Sequence, residues 1–200
     1  HQVYKTDMTG KLLLTIDAPI GTGSYKKNTD FVPTETIIDD NGDIFIADGY
    51  GSQYVLRYDS KGKLKNTFGG RGDGDEYLDN AHGITLDRRS GEVTLLVTDR
   101  TRNCFKRFSK QGRLIEVIKL PGACICRPVI KGDYLYAAVL RSPDLNAEGS
   151  GFITILDKQN KVVSNIGGTE PRYENGVLQP MRQTEKIFVH PHDVCVDSDE

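Results

Sequence analysis

One kind of turn returns about every 50 residues along this chain, and that period constrains the fold more than any other feature. Thr9-Gly10-Lys11-Leu12, Ser60-Lys61-Gly62-Lys63-Leu64, Lys110-Gln111-Gly112-Arg113-Leu114 and Gln159-Asn160-Lys161-Val162 all carry it. Ahead of the second turn stand Ile44-Phe45-Ile46-Ala47-Asp48-Gly49 and Tyr54-Val55-Leu56-Arg57-Tyr58. Ahead of the third stand Leu95-Leu96-Val97-Thr98-Asp99-Arg100 and Cys104-Phe105-Lys106-Arg107-Phe108. A further strand-like run closes each unit. Four short runs in about 50 residues is the pattern of a propeller blade. Nothing reads as a long helix, and Asp40-Asn41-Gly42-Asp43 and Ser90-Gly91 punctuate runs of strand length.

The expected fold is therefore an all-β propeller occupying one domain over residues 1–200. A half blade spans about 2–17, and three blades cover about 31–70, 78–118 and 123–168. The first strand of a next blade follows at 187–197. This count suits a segment of a six-bladed propeller, with an open or unusual propeller as the alternative. Lys and Arg number 26 against 28 Asp and Glu, for a net charge of -2. That balance argues against a nucleic-acid surface, which needs a basic stripe. No apolar run is long enough to span a bilayer. Cys104, Cys124, Cys126 and Cys195 have the spacing of neither a zinc ribbon nor a C-x-x-C pair, and are too few for a disulfide scaffold.

Two histidines sit in matching settings, Ala81-His82-Gly83-Ile84 and Pro191-His192-Asp193-Val194. Each heads an alternating run that ends in Asp. As the same strand of two repeats, those runs put both imidazoles at one height around the axis, and neutral imidazole is a common zinc ligand. His82 opens a strand, so it is expected beside Asp99-Arg100, which closes the next. Alternation puts His82, Ile84 and Leu86 on one face. Tyr50 and Arg100 follow equivalent strands and belong at the same channel mouth. Asp48 and Asp99 recur at one repeat position and read as turn-holding carboxylates. The glycines of Phe68-Gly69-Gly70-Arg71-Gly72-Asp73-Gly74 lack a strand-to-helix setting and read as an inter-blade loop.

These residues resemble the catalytic core of peptidyl-α-hydroxyglycine α-amidating lyases, NHL-repeat propellers with six four-stranded blades. The resemblance runs nearly end to end, through His1-Gln2-Val3-Tyr4-Lys5, Ile46-Ala47-Asp48-Gly49-Tyr50, Ala81-His82-Gly83, Val97-Thr98-Asp99-Arg100, Gly151-Phe152 and Pro191-His192-Asp193. It implies a zinc held by three histidines, two of them His82 and His192, with the third before residue 1. It implies Tyr50 as the catalytic tyrosine, Arg100 as an arginine of the same face, and Asp193 as a ligand of a structural calcium. The implied reaction cleaves the C–N bond of a peptidyl-α-hydroxyglycine, giving a peptide amide and glyoxylate. A small peptide or hydroxyglycine-type substrate, no nucleic-acid partner, no redox cofactor and a secreted or exported location go with it.

The chain departs from that family in places. Gly51 stands where the animal enzymes have a disulfide cysteine, and Leu96 and Arg107 stand at the sites of a second bridge. His190 replaces a methionine near the family's zinc, and as a strand neighbour of His192 it is either a further metal contact or a polar rim residue. The rival reading is a non-catalytic NHL-repeat propeller that binds a protein or glycan. A calcium-dependent lactonase would want carboxylates and Asn at the channel mouth in place of histidines.

Overall fold

In the computed structural model, which describes residues 1–142 and 150–197, the chain is all-β and builds successive antiparallel sheets in chain order. Strands β1 (Val3–Thr6) and β2 (Leu12–Ile16) form a hairpin. The first four-stranded sheet holds β3 (Glu35–Ile38), β4 (Ile44–Ala47), β5 (Tyr54–Tyr58) and β6 (Leu64–Gly69). The second holds β7 (Ala81–Asp87), β8 (Thr94–Asp99), β9 (Cys104–Phe108) and β10 (Leu114–Lys119). The third holds β11 (Cys124–Lys131), β12 (Tyr134–Arg141), β13 (Phe152–Leu156) and β14 (Val162–Ile166). A small hairpin of β15 (Tyr173–Glu174) and β16 (Val177–Leu178) follows. Strand β7 packs between β3 and β11, so the first strand of each sheet is its inner edge, as in a propeller.

The repeated turn has one physical cause. Asp7, Asp59, Ser109 and Asp157 each place a side-chain oxygen where it accepts from the backbone N–H groups two and four residues on. The residue that reverses the chain sits in the left-handed region: Gly10, Gly62 and Gly112 at φ 87°, 82° and 86°, and Asn160 at 61°. Glycine and asparagine are the residues that tolerate this.

Sheets bury little alone and stack through apolar layers. Ile16 of the first hairpin packs with Phe31, Ile46 and Leu56. Phe45, Ala47 and Val55 of the first sheet meet Ala81, Ile84, Val97 and Phe108 of the second. Leu96 and Phe105 of the second meet Leu135, Ala137, Val139 and Phe152 of the third. The expected strand at 187–197 forms no strand pairing. A strand requires a ladder partner, and none of the described residues pairs with this segment. It is held by side chains instead: Phe188 and Val194 lie against Cys126, Ala138 and Ile153.

At the end of the inner strands away from the two histidines, ionic clamps join neighbouring sheets. Arg57 donates through Nε to Asp43 Oδ2 at 2.7 Å and through Nη1 to the carbonyl of Lys110, in a turn of the next sheet, at 3.2 Å. Its repeat equivalent, Arg107, donates to Asp87 Oδ2 at 2.9 Å. Arg89 donates to the same Asp87 oxygen at 2.7 Å and crosses to the third sheet at Asp157 O (2.9 Å) and Asn160 Oδ1 (2.8 Å). Burial alone would raise the Asp87 carboxyl, but hydrogen bonds from Arg89 and then Arg107 hold it at about 2. An unfolded aspartate titrates near ~3.9. Because the folded value is depressed, this stabilisation is complete above about pH 4 and fades as pH falls through about 2. Asp87→Ala leaves the buried Arg89 without its carboxylate and Arg107 with that of Glu116 alone, and urea unfolding at neutral pH is expected to show a loss of about 3–5 kcal/mol. The same variant should flatten the acid limb of the stability curve.

Candidate metal centre

The inner end of β7 starts beside the end of β8, with Ala81 opposite Asp99. The next pair is Ile84 with Val97, so β7 carries one residue more than β8 over this stretch. Such a bulge bends the strand and re-aims a side chain. Strict alternation would group His82 with Ile84 and Leu86. In the folded chain Ala81 and Ile84 both enter the apolar layer against the first sheet, with Leu86 packed on it, and the phase of the strand is shifted at His82. Gly83 permits a close approach of β7 to β11: a Cβ there would lie 2.6 Å from the Cα of Arg127. Ala81 is pinned by the first sheet, its N–H donating to Gln53 Oε1 at 2.9 Å and its carbonyl accepting from the Thr34 hydroxyl at 2.8 Å.

Tyr50 stands on the turn after β4. The buried Asp48 carboxylate organises that turn by accepting from Val32 N (2.6 Å), Ser52 N (2.7 Å) and the Tyr25 hydroxyl (2.8 Å). Asp99 does the same one repeat later, accepting from Asp79 N at 2.9 Å and pairing with Lys106 at 2.8 Å. Tyr50 is 56% exposed, and its hydroxyl lies 3.0 Å from His82 Nε2. Arg100 follows Asp99 and is buried. Its Nη2 lies 3.5 Å from His192 Nε2, and its Nε is buried without a hydrogen-bond partner. The His192 segment is seated by Pro191, whose Cδ lies 2.2 Å from where a Gly151 Cβ would stand. The His82 and His192 rings are 4.7 Å apart at 71°.

Tyr50, His82, Arg100 and His192 thus meet at one end of the inner strands. Cys126, which sequence reasoning left unassigned, joins them. The ligand atoms of His82, Cys126 and His192 lie within 4.8 Å of one another, the one group of three metal-ligating side chains among the described residues. Burial, then the charges of Arg100 and His192, push the His82 imidazole down to about 3. It is therefore neutral, the form that ligates a metal. Its Nδ1 is buried without a partner. Two imidazoles and a thiol are a donor set that suits zinc.

The other two candidates stand apart from this group. His190 is exposed and outside it. Asp193 pairs with Arg127 at 3.1 Å and accepts from Val194 N at 2.8 Å, while Arg127 also reaches Glu35 at 3.5 Å. Calcium takes six to eight oxygens, and a guanidinium against Asp193 does not fit that shell. A polar cavity of about 470 Å³ opens beside Tyr50, lined by Ser24, Asp30, Ser52, Tyr54 and Arg71. Another, of about 700 Å³, lies at the clamped end, among Ile38, Leu86, Arg88 and Ile130. The His82, Cys126 and His192 group lies at the opposite end of the inner strands. Among the described residues no helix is long and apolar enough to cross a membrane.

Comparison with known proteins agrees with this architecture. The family described as DUF5128: 6-bladed beta-propeller matches residues 26–167. Peptidyl-alpha-hydroxyglycine alpha-amidating lyase 1 of Drosophila melanogaster is 26% identical across 100% of this chain, which spans 37% of the fly protein. A Caenorhabditis elegans protein described as a probable peptidyl-alpha-hydroxyglycine alpha-amidating lyase is 35% identical over 32% of this chain and 18% of its own length. Virginiamycin B lyase from Staphylococcus aureus superposes with a TM-score of 0.58 at 15% identity, over 87% of this chain and 49% of that one. At that identity the likeness concerns the fold alone.

The depressed His82 value has a measurable consequence. An unfolded histidine protonates near ~6.5, whereas folded His82 resists protonation down to about 3. Between those values the unfolded chain binds more protons, so the His82 contribution to stability falls as pH drops through that window. In metal-free protein the His82 ring resonance should not titrate between about pH 8 and pH 5. His82→Gln should remove part of the stability difference between those pH values.

Proposed function

The chain belongs to the DUF5128 six-bladed β-propeller family, and from that premise we propose that it is a zinc-dependent lyase that cleaves the C–N bond of peptidyl-α-hydroxyglycine. The products are a peptide amide and glyoxylate. The observation that carries this reading is the Tyr50 hydroxyl held 3.0 Å from His82, itself in ring contact with His192. Similarity to the fly lyase across this whole chain, which spans 37% of the fly protein, supports the substrate class.

His82 and His192 would hold the zinc, which supplies Lewis acidity toward the α-hydroxyl oxygen. Tyr50 is exposed enough to meet a substrate and sits at the histidine pair. It is placed to take the α-hydroxyl proton as general base. The hydroxyl carbon becomes the aldehyde carbon of glyoxylate as its bond to nitrogen breaks. The amide nitrogen then takes a proton, and Tyr50 is placed to return the one it removed. Arg100 lies beside both imidazoles with its buried Nε unpaired. Its Nη2, 3.5 Å from His192 Nε2, is the atom turned toward the pair, and a guanidinium binds a substrate carboxylate through two parallel hydrogen bonds.

Glyoxylate release from a hydroxyglycine peptide, measured alongside zinc content, tests the proposal. Tyr50→Phe should retain zinc and lose turnover by about 10²–10⁴-fold, the range for removing a general acid–base. His82→Ala should lose both. Zinc retained by the wild type without glyoxylate release would favour a binding module over a lyase.

A further inference from the structure

The bulge that shifts the strand at His82 recurs one sheet later. On β11 Ile125 pairs with Val139 and Pro128 with Ala137, so two residues again lack opposite partners, as His82 and Gly83 do on β7. Cys126 is the first of that pair, the position that His82 holds on β7. Its carbonyl is fixed by the Thr98 hydroxyl of the second sheet at 2.7 Å, and its side chain is fully buried. The same end of the inner strands thus presents His82 from the second sheet, Cys126 from the third and His192 from the segment after it.

We propose that Cys126 is a metal ligand, its Sγ joining the imidazoles of His82 and His192 around one borderline-soft divalent ion of the zinc type. This rests on the reading of the two histidines as metal ligands, and adds a thiolate that the resemblance to amidating lyases does not imply. Zinc bonds of about 2.0–2.1 Å to nitrogen and about 2.3 Å to sulfur put ligand atoms roughly 3.5 Å apart. The 4.8 Å limit on this group is within reach of modest side-chain adjustment. Binding converts the thiol to a metal thiolate and releases its proton to solvent. A nucleophilic role for Cys126 would need access to substrate, which its full burial denies. One anionic sulfur also offsets the ion's charge beside the Arg100 guanidinium, where three neutral imidazoles would not.

Cobalt(II) in place of zinc makes the ligand visible. The full chain is loaded with cobalt(II), and its near-ultraviolet and visible absorption is compared with that of Cys126→Ser and Cys124→Ser. A thiolate-to-cobalt charge-transfer band is expected in the wild type and in Cys124→Ser, and lost in Cys126→Ser. One fewer proton should be released on binding by Cys126→Ser. Bound cobalt with ligand-field bands but no charge-transfer band in the wild type overturns the thiolate and leaves the histidine site standing. That spectrum decides the matter even if Cys126→Ser fails to fold. A band that survives in Cys126→Ser assigns the thiolate elsewhere and also overturns the proposal. Failure of the wild type to retain cobalt overturns the thiolate and the histidine site together.

Discussion

The meeting of Tyr50 with His82 depends on the apolar layer between the first two sheets. Phe45, Ala47 and Val55 press against Ala81, Ile84 and Val97 with no exposed surface left on any of the six. Close packing of this kind leaves little freedom in the relative placement of the sheets. The Gln53 and Thr34 contacts to Ala81 then fix the strand one residue before His82. A side chain on one sheet and a tyrosine on the next can meet at 3.0 Å only because that layer is rigid.

The two ends of the inner strands are built from different chemistry. The clamped end spends its charges on one another: Asp87, Arg89 and Arg107 are all buried, paired and tied to the third sheet. The histidine end leaves buried polar atoms unsatisfied, His82 Nδ1 and Arg100 Nε among them. Unpaired buried donors and acceptors cost stability, and a ligand held between these two would offset that cost.

Much of this was legible in the sequence, for identifiable reasons. The repeated turns could be read because positive-φ positions call for Gly or Asn, and because the preceding Asp or Ser has a local backbone task. The all-β class followed from alternation of strand length. Tyr50, His82, Arg100 and His192 could be assigned to one end because equivalent strands end at equivalent heights. Cys126 was missed because alternation assumes one residue opposite one residue, and a bulge breaks that rule without a composition signal. Its mark in hindsight is Cys124-Ile125-Cys126 opening the first strand of its sheet, where His82 opens the sheet before. The β15–β16 hairpin escaped because two residues per strand show no period. The segment 187–197 alternates like a strand, but alternation reports which side chains are apolar and cannot supply a ladder partner.

The residues of the candidate centre are carried by four successive layers of the stack. Tyr50 rides on the first sheet, His82 and Arg100 on the second, Cys126 on the third, and His192 on the segment after it. Such a centre behaves as a gauge of how the sheets are rotated against each other. A change in side-chain volume at Phe105 or Phe152, remote in sequence from every ligand, would alter the spacing between donors on adjacent layers. The spacing of side chains at the mouth is therefore set in part by apolar layers that never touch it.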